Sequence, residues 1–155
     1  MKNTTLCFLV KENKVLLAMK KRGFGAGKWN GVGGKITEGE DIKDATIREA
    51  NEEIGVTINA ADLKNHGSIK FSFENNPDWN QEVHIFITEK WEGEPAESEE
   101  MKPQWYLHSD LPFSEMWLDD PYWLPKVLAG KNVEGEFFFN NNGSEILKFD
   151  VREMD

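Results

Sequence analysis

Short apolar stretches of period two dominate this chain, and helical spacing appears in only two places. Residues 4–10 and 14–19 are apolar with β-branched and aromatic members; they predict two strands, with Glu12-Asn13 as the turn between them. Ile69, Phe71 and Phe73 alternate with polar residues, as do Val83, Ile85 and Ile87. This predicts paired strands over 66–74 and 82–91 around a polar turn at 75–80. A short strand is expected over 104–108, and a closing hairpin over 135–140 and 144–152 around Asn142-Gly143. Residues 56–65, 92–100 and 110–117 read as irregular. Thr46, Ile47, Ala50 and Ile54 form an apolar stripe at helical spacing, between an N-cap at Asp41 and a terminating glycine at Gly55. Asp120 as N-cap, Pro121 at the first helical position and Gly130 bracket a second helix, which Pro125 could bend. A mixed sheet covered by helices is the economical α/β architecture, in a single domain over 1–155.

Composition narrows the partners. Eighteen basic and 28 acidic residues leave a net charge of −10. That argues against a nucleic-acid polymer as the main partner. A single nucleotide stays open, because Lys20, Lys21, Arg22, Lys28 and Lys35 cluster early. No apolar run reaches transmembrane length and no signal-peptide core follows the start, so no membrane partner and a cytoplasmic, monomeric protein are expected. Cys7 stands alone, so it can form no intramolecular disulfide and reads as a small buried apolar residue. His66, His84 and His108 share no metal-ligand spacing, and Trp79 and Trp91 receive no role.

The first helix carries the chemistry. Arg48, Glu49, Glu52 and Glu53 occupy the face opposite its apolar stripe. Glu49, Glu52 and Glu53 stand at i, i+3 and i+4 and repel one another by a few tenths of a kcal/mol per pair. Arg48, four residues before Glu52, can pair with it, and a divalent cation would offset the rest. Hard carboxylate oxygens suit Mg²⁺ or Mn²⁺. The glycine-rich basic loop over 20–30 continues into Gly31, Val32, Gly33 and Gly34. Lys20 and Lys35, with the backbone of Val32, Gly33 and Gly34, are the candidates for substrate and phosphate contact. Asp119 and Asp120 are adjacent carboxylates beside Trp117; one could keep its proton and donate while the other accepts. Asn30 offers both functions on one amide, and Trp117, Phe24 and Phe71 could sandwich a planar base.

Gly34, Glu40 and the run Arg48-Glu49-Ala50-Asn51-Glu52-Glu53-Ile54-Gly55-Val56 match G-x5-E-x7-R-E-U-x-E-E-x-G-U, the box of the Nudix hydrolases, at every charged and glycine position. Ala50 departs, being smaller than the aliphatic residue the pattern carries. Residues 19–35, Glu100-Met101, Trp117 to Asp120 and Tyr122-Trp123 resemble the branch of that family acting on oxidised purine nucleoside triphosphates. Leu118 stands where proline is expected in that branch. The resemblance implies an α/β/α sandwich with a loop-helix-loop motif, and hydrolysis of 8-oxo-dGTP or 2-hydroxy-dATP to the monophosphate and pyrophosphate. It implies metal ligation by Glu49, Glu52, Glu53, Glu100 and the Gly33 carbonyl, and a base pocket that includes Thr5. The box leaves open which of Glu53, Glu52 and Glu100 is the general base. It leaves open a nucleotide sugar, dinucleotide polyphosphate or capped RNA as substrate, and a catalytically silent binding module.

Overall fold

The computed structural model describes residues 1–154. In chain order the elements are β1 (Lys2–Lys11), β2 (Lys14–Lys20), β3 (Trp29–Asn30), α1 (Ile42–Ile54), β4 (Lys64–Phe73), β5 (Gln81–Thr88), β6 (Met101–Leu107), α2 (Asp120–Leu128), β7 (Asn132–Phe139) and β8 (Ile146–Met154). The strands form one mixed sheet in the order β3-β2-β1-β5-β4-β7-β8, with β6 on the other edge of β2. β1 pairs with β5, and β4 with β7, in parallel; the remaining pairs are antiparallel.

β1 and β2 are buried on both faces, which is why they read as near-continuous apolar runs rather than alternations. Leu6, Phe8, Val15 and Leu17 join the core beneath α2, with Trp123, Leu124 and Val127. Cys7, Leu9, Leu16 and Ala18 join the core beneath α1, with Ala50 and Ile54. The molecule is therefore an α/β/α sandwich, as expected. No helix among the described residues is long and apolar enough to cross a membrane.

The first helix begins and ends where its caps place it. The Asp41 side chain accepts the Lys43 N–H at 3.0 Å, and Gly55 closes the helix in the left-handed region at φ 75°. Ala50 is fully buried in the core beneath this helix, so its small size is fitted to the space. The second helix differs from expectation by one residue. Asp119 is its N-cap, with no side-chain capping bond, and Asp120 its first helical residue; both carboxylates are buried. Pro125 lies inside the helix, which still runs three residues past it.

Other elements depart from expectation too: β7 begins at Asn132, three residues early, β5 ends at Thr88, three residues short, and β8 is shifted two residues on, to Ile146–Met154. β4 begins at Lys64, inside a stretch read as irregular, and a 3-10 turn at Ala60–Asp62 precedes it. β6 begins at Met101, three residues early, and carries Pro103 on an edge strand where a missing N–H costs little. β3 sits in the glycine-rich loop, and its two residues pair with Ala18 and Met19 of β2.

β3 belongs to a segment that organises the site. β1 and β2 pair only next to their turn, at Val10↔Val15 and Lys11↔Lys14, and then part. Residues 29–36 thread the gap. Trp29 and Asn30 pair with β2, while Val32 exchanges backbone hydrogen bonds with Cys7, at 2.6 and 2.9 Å, and the Thr5 N–H reaches the Gly34 carbonyl at 2.9 Å. A side chain at Gly33 would collide with the Thr5 carbonyl, and one at Gly34 would stand 2.6 Å from the Glu49 carboxylate. These glycines therefore permit close approach of backbone to β1 and to α1.

Candidate active site

A cavity of about 500 Å³ opens on the α2 side of the sheet. That is within the range of small-molecule sites. Its walls include Thr5, Lys20, Phe24, Asn30, Gly33, Gly34, Lys35, Phe71, Trp117, Asp119 and Asp120, all expected in the substrate site. Val32 is the exception. It packs into the core beneath α1, only 2% exposed, because strand alternation turns it away from the cavity. Thr5 is buried, with its hydroxyl 3.5 Å from the Gly34 carbonyl, while Thr4 next to it bonds Gln81 at 3.1 Å.

Asp119 and Asp120 stand at the deep end, 3% and 1% exposed. Asp119 accepts the Trp123 indole N–H at 2.7 Å, and burial pushes its carboxyl up to about 6. Asp120 is driven well above the ordinary carboxylate value by burial and then by the charge and hydrogen bond of Asp119; Lys28 opposes the shift. One Asp120 oxygen is buried with no hydrogen-bond partner. Burial thus favours the protonated form of both carboxyls, and the unpartnered Asp120 oxygen leaves a polar edge at the cavity that a ligand carrying donors would complete. Asn30 spends its carbonyl oxygen on the Gly31 N–H at 2.9 Å, which leaves its NH₂ to donate.

The α1 carboxylates lie on the other side of the 29–36 segment. Glu53 was expected on the outer acidic face, yet it is only 7% exposed. It sits at the edge of the buried stripe and accepts the Gly33 N–H at 2.9 Å, so that amide is already engaged. Desolvation pushes the Glu53 carboxyl up to about 8; the Gly33 N–H opposes this, Glu49 and Glu100 add to it, and Lys20 opposes it. Glu49 is raised by burial despite its bond to Arg48. Glu52 and Glu100 are exposed, and Glu100 pairs with Arg22 at 3.4 Å.

Arg48 is the clasp of this face. It holds Glu40 with two bonds, 2.8 and 3.0 Å, and reaches Glu49 at 3.0 Å, Glu52 at 3.3 Å and the Lys35 carbonyl at 3.2 Å. The Arg48 bond is also the main reason the Glu40 carboxyl falls to about 2. The Arg48–Glu52 pair was legible from spacing; the stronger Arg48–Glu40 pair joins a loop to a helix and has no local period.

Among the described residues, no three carboxylate, imidazole or thiol groups are drawn close enough to enclose a metal ion. The donor chemistry nevertheless suits a hard cation. Glu49, Glu53 and Glu100 share one field, two of them with raised carboxyls, and the bare Gly34 backbone cradles the Glu49 oxygens. None of the three histidines lines the cavity: His66 contacts the Lys131 carbonyl, His84 the Asn3 side chain, and His108 follows β6. Cys7 is buried and its thiol is pushed up to about 12, which leaves it unreactive.

Sequence reasoning missed Trp79, Gln81, Phe73, Trp123 and Lys28, which also line the cavity. The signal for Trp79 was an indole inside an otherwise polar turn. For Trp123 it was the spacing of four from Asp119 on one helix face.

The NUDIX domain model matches residues 2–127. A Mus musculus protein named oxidized purine nucleoside triphosphate hydrolase is 45% identical over 97% of this chain and 94% of its own length. A Danio rerio protein of the same name is 49% identical over 89% of this chain and 86% of its own. The crystal structure of a mutator MutT protein from Bacillus halodurans superposes with a TM-score of 0.83, at 26% identity, covering 97% of each chain. A box that matches at every charged and glycine position from Gly34 to Val56, a sandwich that sets it beside the cavity, and these relatives agree: the chain belongs to the NUDIX family.

Proposed function

We propose that this protein is a Mg²⁺-dependent diphosphatase for oxidised purine nucleoside triphosphates, releasing the monophosphate and pyrophosphate, and so cleans the nucleotide pool. The observation that carries this reading is the juxtaposition of two sites across one backbone segment. The buried pair Asp119 and Asp120 faces a cavity on one side of residues 29–36, and Glu53 and Glu49 press on the other side at Gly33 and Gly34. The two relatives named for this activity, similar over most of their length, support it.

In this reading the base enters the cavity edge-first. Asp120 keeps its proton and donates, Asp119 accepts, and the Asn30 NH₂ donates. A guanine or adenine edge altered by oxidation changes its donors and acceptors, and a carboxyl pair sharing one proton can answer either pattern. Lys20, half-buried between cavity and carboxylates, meets the phosphates, and Lys35 assists from the rim. A divalent ion, when bound, neutralises phosphate oxygens and lowers the pKa of the attacking water. Glu49, Glu52, Glu53, Glu100 and the Gly33 carbonyl are the groups that would hold it. Among Glu53, Glu52 and Glu100, Glu53 alone is buried against the phosphate-facing backbone, which makes it the first choice to take the water's proton. One chain supplies every group, so a monomer in the cytoplasm, folded as one domain, suffices.

Pyrophosphate release from 8-oxo-dGTP, 2-hydroxy-dATP and unmodified dGTP, with and without Mg²⁺, tests the proposal. The oxidised substrates are expected to turn over with the higher kcat/KM, and only with the cation present. Equal values for dGTP and 8-oxo-dGTP would remove the pool-cleansing role.

A further inference from the structure

Trp79 is held by backbone ties. It ends the short 3-10 turn Pro77–Trp79 between β4 and β5. The Asn80 side chain accepts the Phe73 N–H at 2.9 Å, the Asn76 amide donates to the Asn141 carbonyl at 3.1 Å, and the Lys2 ammonium meets the Asp78 carbonyl. The turn is thereby fastened to its own strand, to the loop after β7 and to the start of β1. Its indole is half-buried and lines the cavity.

The ring neighbours form a row. Trp79 lies 4.6 Å from Phe24, and Phe24 lies 5.2 Å from Trp117. Phe73 meets Trp79 edge-on, at 5.4 Å and 87°. Phe24 is 40% exposed while Trp79 packs against the core that holds Phe73, so the row runs from the edge of that core outward along the cavity. Asp119 and Asp120 line the same cavity, and Phe24 stands between the two indoles.

We propose that Trp79 is a specificity-determining residue that selects two-ring bases, completing with Phe24 and Trp117 an aromatic clamp along the cavity. The inference rests on the nucleotide reading above and deepens it. A base seated on the aspartates stacks first near Trp117. A fused second ring carries the base further towards Phe24 and Trp79, rings tilted 56° to each other, and a pyrimidine gives less area to that wall. Stacking scales with the overlapped face and does not distinguish reactant from transition state, so Trp79 acts on binding. The residue positions the base and takes no part in bond breaking.

The test uses the full chain with Trp79→Ala and Trp79→Phe. Steady-state kinetics on 8-oxo-dGTP are read beside calorimetric Kd values for 8-oxo-dGMP and dCMP. Trp79→Ala is expected to raise KM for 8-oxo-dGTP and Kd for 8-oxo-dGMP about tenfold, the loss of one stacked face. The effect is carried in KM rather than kcat, dCMP affinity moves much less, and Trp79→Phe recovers most of the loss. Unmoved purine values, or equal factors for the purine and pyrimidine monophosphates, overturn the clamp. If Trp79→Ala lowers the melting temperature enough to compromise the protein, Trp79→Leu, which fills the space without a planar ring, decides by the same purine-to-pyrimidine ratio. The monophosphate Kd values need no turnover. A wild type without preference for oxidised triphosphates therefore fails the proposed function, while the ratio still decides the clamp.

Discussion

Glu53 concentrates the conflict between folding and function in one side chain. A carboxylate only 7% exposed, beside Glu49 and Glu100, is held by a single backbone N–H and by the field of Lys20. Glu53→Gln keeps an acceptor for the Gly33 N–H and removes the charge. It is expected to lower kcat at least about a hundredfold, the scale of a lost general base, while mononucleotide affinity by calorimetry stays near the wild-type value. Asp119 gives a second prediction, in pH. Its carboxyl lies at about 6 against an ordinary 3.8, so between these values the folded chain holds more protons than the unfolded one. Stability contributed there is present at low pH and is lost as pH rises through the folded value. Asp119→Asn removes this contribution. The fall in melting temperature from about pH 4.5 to about pH 7 should be smaller in the variant than in the wild type, followed by circular dichroism. The same substitution is expected to change base preference. An unaltered ratio of kcat/KM for 8-oxo-dGTP and dGTP would take Asp119 out of base recognition.

At the scale of elements, α1 was the most legible feature because its determinants are local. Asp41, the buried positions Thr46, Ala50 and Ile54, and Gly55 lie within one helix length and act through its own backbone. Gly55 tests this cleanly. Its φ of 75° is unfavourable for any side chain, yet nothing lies within 4 Å of a Cβ placed there. Gly55→Ala should therefore cost about 1 kcal/mol from conformation alone, measured by chemical denaturation. Ala50→Leu should cost more, roughly 1–3 kcal/mol, because it overpacks a fully buried position. β4 with β5 was legible from alternation and β7 with β8 from the turn at Asn142-Gly143, both local signals. β3 was not, since two residues carry no period and its pairing exists only because β1 and β2 separate. The burial of Asp119 and Asp120 was hidden too. Their sequence suits a helix cap, and only the cavity and the Trp123 indole reveal the other use. Of the candidate site, the residue types were readable, Glu40 among them, but the place of Trp79 and the Arg48–Glu40 pairing were not, because both act across a tertiary gap.

The whole molecule carries −10 net charge, yet four lysines, Lys2, Lys20, Lys28 and Lys35, line the cavity. The acids are concentrated elsewhere, including the α1 face. A divalent cation should consequently stabilise the fold as well as support turnover. Excess Mg²⁺ is expected to raise the wild-type melting temperature by mass action on the folded state, and to raise that of a Glu49→Gln, Glu53→Gln double variant much less; equal shifts would place the stabilising ion elsewhere. Residues 29–36 have a consequence of a different kind. Because they run through the split between β1 and β2, they act as a partition with one face towards the aspartates and aromatic row and the other towards Glu49 and Glu53. On the proposed function, base recognition and phosphate chemistry fall to opposite faces of that segment. Mutation can rewrite the first without disturbing the second, so a lineage with this layout can exchange one base for another while its bond-breaking apparatus is inherited intact.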